Sequence, residues 1–112
     1  MPIKDQVAER ARIDRIRRME RCLDKSGKAF DKMAKALAEY EAVQTDFKRL
    51  CDYYQGPKWM EDFEADEQKK LPENLKRGVL SEDAVYDLLT RNHELTSRML
   101  KIIAKNVEEH RG

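Results

Sequence analysis

Residues 16–54 read IRRMERCLDKSGKAFDKMAKALAEYEAVQTDFKRLCDYY, and this stretch decides the fold. Numbered in sevens, Ile16, Leu23, Phe30, Leu37, Gln44 and Cys51 share one position. Met19, Ser26, Met33, Tyr40, Phe47 and Tyr54 share the other. Apolar residues recurring at this spacing form a stripe along a helix, and the repeat is too long to be a strand. Ala29, Ala36, Val43 and Leu50 widen the stripe toward its carboxyl end. Ser26-Gly27 is the weak point, because a glycine in a helix interior costs about 1 kcal/mol against alanine without ending the helix. The pattern predicts one helix over 4–54, with a bend or break possible at Ser26-Gly27.

Downstream, Gly56-Pro57 ends that helix and can start another, since proline suits the first helical position. Trp59, Met60 and Phe63 then mark a short amphipathic helix over 57–69. Leu71, Leu75, Val79 and Leu80 pin an ordered connector over 71–80. There Gly78 is expected to supply a left-handed turn. Ser81 before Glu82 and Asp83 is a helix start: the hydroxyl can accept from a free backbone N–H, and the carboxylates suit the positive end of the helix dipole. A last helix over 82–109 carries Val85, Leu88, Leu89, Leu95, Met99, Ile102, Ile103 and Val107. The expected fold is all-α, a single domain over 1–112. In it the long amino-terminal helix packs antiparallel against the carboxyl-terminal helix, with the short helix and connector between. Gln44 and Asn92 would then meet and set the register.

Composition agrees with this. Lys and Arg number 23 against 22 Asp and Glu, a net charge of +1, in 112 residues with only 4 Gly and 3 Pro. Dense but balanced charge with helical periodicity marks a folded amphipathic protein, and no apolar run is long enough to span a bilayer. The amino end lacks the apolar core of a secretory signal, so the cytoplasm is the expected compartment. Cys22 and Cys51 lie too far apart on one helix to pair and suit a reducing milieu.

Chemistry-bearing patterns are sparse. Asp62, Glu64, Asp66 and Glu73 echo a calcium-loop spacing, but Glu67 stands where the sharp turn needs Gly. No calcium site, other metal site or cofactor is expected. Arg10, Arg12, Arg15, Arg17, Arg18 and Arg21 could contact phosphates. Asp14 and Glu20 interrupt them, and no aromatic precedes Phe30, which disfavours nucleic acid. His93 and His110 have no nucleophile at base spacing, and the glycines form no phosphate loop, so the expectation is that the chain is not an enzyme. Tyr53, Trp59, Arg77, Ser81, Asp83, Tyr86 and Asp87 gather near the connector. They read either as a polar lock, with Asp83 or Asp87 pairing with Arg77 or Lys76, or as a small-molecule or metal site.

Two segments, YYQGPKWMEDFEADE over 53–67 and LPENLKRGVLSEDAVYDLL over 71–89, resemble the bacterial domain-of-unknown-function family 4298. That resemblance implies a small bacterial helical protein and assigns no activity, cofactor or catalytic residue.

The leading functional expectation is geometric. The carboxyl-terminal helix is too short to cover the whole long helix, and shields it only from about Ser26 onward. Ile13, Ile16, Met19 and Leu23 are left without an intrachain partner. A homodimer, or docking of another protein on this face, would cover them. A small-molecule or metal-binding role for 53–87 is the alternative, and a nucleic-acid accessory role comes third.

Overall fold

The computed structural model describes residues 2–110. Its elements are α1 (Pro2–Gln55), α2 (Pro57–Glu67), a 3-10 turn (Gly78–Leu80) and α3 (Glu82–Glu109), with no strand among the described residues. The all-α class and the order of long, short and carboxyl-terminal helix are as expected. The break considered at Ser26-Gly27 is absent, for α1 runs unbroken through both residues. A Cβ at Gly27 would meet nothing within 4 Å, so this glycine is not demanded by packing.

The chain divides into two units, Met1–Gln44 and Thr45–Gly112. The first is helical throughout its described length, and every residue from Ile3 to Glu39 is exposed. Ile16 is 53 % and Phe30 71 % exposed, so Phe30, expected in a core, lies on the surface with Ile16.

The second unit holds the core. Gly56 breaks the helical run in an extended conformation and caps α2. A Cβ there would sit 3.0 Å from the Asp52 carbonyl oxygen, so a side chain would crowd the tight corner between the end of α1 and α2, and glycine avoids that contact. α2 stops at Glu67, two residues before the expected end, because Lys69 adopts φ 58°. The Lys69 N–H donates to the Asp66 carbonyl at 3.0 Å, and the Lys70 N–H to that of Ala65 at 2.9 Å. Those two bonds are the Schellman pattern, which ties off carbonyls the helix would leave unpaired. The left-handed residue is therefore Lys69. Gly78, expected to fill that role, has no positive φ and opens the 3-10 turn instead.

Both α2 and α3 pack on that turn. Trp59 from α2, Leu80 from the turn and Val85 from α3 are the buried apolar residues. Leu71 is half-buried, whereas Leu75 and Val79 are exposed, so two of the four expected connector anchors do not anchor through their side chains. At the end of α1 the Tyr54 hydroxyl donates to the Glu82 carbonyl at 3.4 Å, which ties that end to the start of α3. On α3, Leu89, Asn92 and Met99 continue the face of Val85 and are half-buried. Leu95, Ile102, Ile103 and Val107 are exposed.

Candidate functional site

Trp59 organises the connector region. Its ring stacks on Phe63, one turn later on α2, at 5.1 Å and 16°, and meets Tyr54 edge-on at 5.2 Å and 73°. Its indole N–H donates to the Val79 carbonyl at 2.9 Å. The large apolar ring thus fills the core while its one polar atom captures the connector's backbone.

Tyr53 lies on the same corner. Its hydroxyl donates to Asp62 at 2.6 Å. Partial burial, the hydrogen bond to Asp62 and the negative charge of that carboxylate push the phenol up to about 12 from an ordinary 10.

Arg77 gathers three acceptors. Its guanidinium meets the Asp66 carboxylate at 2.5 Å, the Leu75 carbonyl at 3.2 Å and the Pro72 carbonyl. The expected partners Asp83 and Asp87 are not used, because the Lys69 turn swings the connector back along α2 and brings Asp66 to Arg77 first. Asp83, Tyr86 and Asp87 are exposed, and their side chains make no hydrogen bond or ion pair among the described residues. Ser81 occupies the N-cap position with φ −68° and ψ 134°, but its hydroxyl makes no capping bond.

Of the residues grouped from sequence, then, Tyr53, Trp59 and Arg77 are brought to α2 and each is satisfied inside the chain. Ser81, Asp83, Tyr86 and Asp87 face solvent. Sequence reasoning missed Asp62 and Asp66 as the receiving carboxylates. Their only signal was membership of the acidic run, and nothing in the spacing of Asp66 and Arg77 marks them as a pair. Among the described residues, no group of three or more His, Cys, Asp or Glu could hold a metal ion. No buried side-chain polar atom there lacks a partner.

The other candidate lies on the first unit. Ile13, Ile16, Met19 and Leu23 are 42 %, 53 %, 56 % and 66 % exposed and follow one face of α1. The same face continues through Phe30, Met33 and Leu37, which are also exposed. Sequence reasoning had assigned those three to an intrachain core, although they belong to the same seven-residue row. Cys22 is exposed, and both it and Cys51 are free thiols. Arg10, Arg12, Arg15, Arg17, Arg18 and Arg21 make no ion pair among the described residues. Nor is any described helix long and apolar enough to cross a membrane.

A family model described as a domain of unknown function, DUF4298, matches residues 16–102. The match takes in Ile16, Met19 and Leu23 as well as the whole connector region, and leaves Ile13 outside. No curated protein and no solved structure matches the chain.

Proposed function

The chain belongs to the DUF4298 family, and from that premise we propose that it is a non-enzymatic cytoplasmic protein that acts by self-association, pairing as a homodimer through the apolar face of α1. The observation that carries this reading is the exposure of Ile13, Ile16, Met19 and Leu23 on a continuous helix face, with Phe30 and Leu37 beyond them. Fully burying such a side chain is worth about 1.5 to 3 kcal/mol before entropy costs, so a row of them favours a covering partner. Two-fold pairing of identical chains is the commonest arrangement that supplies one. The connector offers less in its favour: Trp59, Tyr53 and Arg77 make their hydrogen bonds within the chain, whereas the α1 face is a row of exposed apolar side chains.

Light scattering after size exclusion tests the proposal. A mass of 26.4 kDa, twice the chain's 13.2 kDa, is expected. Replacing Ile16 and Met19 together, Ile16→Asp with Met19→Asp, should return the chain to 13.2 kDa. Its helicity should persist, because the core around Trp59 lies in the other unit. A wild-type mass of 13.2 kDa at every concentration would overturn the proposal.

A further inference from the structure

We infer that the two α1 helices of the dimer run parallel and in register, aligned by reciprocal ion pairs between Arg15 of each chain and Glu20 of the other. This rests on the self-association reading above and adds the orientation of the partner. Ile16, Met19, Leu23, Phe30, Met33 and Leu37 occupy the two seam positions of a seven-residue repeat, and all six are exposed. A repeat of seven keeps two helices in contact along a left-handed supercoil. The residues flanking a seam decide which way the helices run. Here the flanking positions between 15 and 36 are Arg15, Cys22, Ala29 and Ala36 on one side and Glu20, Gly27 and Ala34 on the other. Arg15 and Glu20 are the only charges among them.

In a parallel, in-register pair each residue of the Arg15 flank faces the other flank of its partner, five residues further on. Arg15 therefore faces the second copy's Glu20, and symmetry repeats the contact. In an antiparallel pair, flanking positions of the same kind face one another, so Arg15 and Glu20 never meet in any register that keeps the seam apolar. Within the chain neither Arg15 nor Glu20 has an ion-pair partner among the described residues, so both are free for the second copy. Upstream, Arg12 and Glu9 take the seam positions. Like charges meeting there close the seam at Ile16, and Ile13 lies on its flank, at the position Glu20 occupies one repeat later.

Charge reversal on the full chain reads the orientation. Arg15→Glu should raise the dimer dissociation constant roughly fivefold, in line with the modest strength of exposed ion pairs. Glu20→Arg should do the same, and the two together should restore it to within about twofold of the wild type. These are exposed positions, so folding is preserved. A second readout places Met19→Cys in a chain carrying Cys22→Ser and Cys51→Ala. Gentle oxidation should give a covalent dimer, because identical seam residues meet only in the parallel arrangement, whereas Arg18→Cys in the same background should stay uncrosslinked. A 26.4 kDa particle with neither rescue nor the Met19 cross-link overturns the parallel arrangement and leaves self-association standing. A mass above 26.4 kDa overturns the two-helix seam, and a constant 13.2 kDa overturns self-association itself.

Discussion

Two stretches of this chain carry comparable apolar rows, yet only one of them is packed. Between 45 and 112 the side chains of Trp59, Leu80 and Val85 are buried; between 3 and 39 nothing is. What separates them is punctuation. Gly56-Pro57, the left-handed Lys69 and the Ser81 start reverse the chain three times within the second unit, so that α2 and α3 can share one turn. The first unit has only Gly27, and one glycine inside a good helical pattern does not turn a chain. Periodicity makes helices; reversals decide which of them find a partner at home.

The strongest way to break this comparison is to remove what the reversals converge on. Trp59→Ala deletes the indole, its stacking on Phe63 and its bond to Val79. It should lower stability by about 3 to 5 kcal/mol in urea unfolding followed by circular dichroism. A loss below about 1 kcal/mol would show that the second unit does not depend on its tryptophan. Next comes the connector lock. Arg77→Ala removes the Asp66 pair and two carbonyl contacts, and about 2 kcal/mol is expected because a charged donor leaves a partly buried carboxylate behind. Asp66→Asn should cost less, since the contacts to Pro72 and Leu75 remain. Equal losses would mean that the carbonyl contacts add nothing.

A smaller effect is expected from Tyr53, and only in alkali. Its folded pKa, raised to about 12, lies above the ordinary 10. The folded state therefore favours the neutral phenol, and the associated stability is complete below pH 10 and is lost as pH climbs from 10 through 12. Tyr53→Phe should flatten the stability profile in that window and remove the latest-ionising component from an ultraviolet tyrosinate titration. An unchanged profile would detach Tyr53 from Asp62.

The limits of what the sequence shows follow the same divide between local and distant causes. The start of α2 at Pro57 and the span of α3 from Glu82 to Glu109 were legible, because proline and acidic residues act on their own neighbours. Family membership was legible as well, from two segments around the connector. The pairing of Arg77 was not. Choosing Asp66 over Asp83 or Asp87 depends on the turn at Lys69, and lysine has no preference that announces a left-handed conformation. The exposure of Phe30 was misread for a related reason: a seam residue looks the same in sequence whether its partner lies in the same chain or another. In the candidate site, Trp59 was readable as core because it sits one turn from Phe63. The loose group Ser81, Asp83, Tyr86 and Asp87 was a cluster only along the chain.

Two single substitutions sharpen the account of how the second unit reverses, and both effects are small. Lys69→Gly should stabilise the protein by about 1 kcal/mol, because glycine adopts positive φ without the steric cost a Cβ brings. Ser81→Ala is the finer test. Serine before two acidic residues is the residue type that caps helices, and losing such a cap ordinarily costs about 1 kcal/mol. In the structure the backbone of Ser81 has cap geometry while its hydroxyl makes no bond to the first turn. The backbone geometry survives alanine, and so does the favourable placement of Glu82 and Asp83 at the positive end of α3. The expected loss is accordingly only about 0.3 kcal/mol, the size of an ordinary exposed substitution. A shift of 1 kcal/mol or more in the denaturant midpoint, with unchanged slope, would show that the hydroxyl closes on the helix in solution. The third reversal would then depend on a side chain, and no longer on the chain's local conformation and the two carboxylates that follow it.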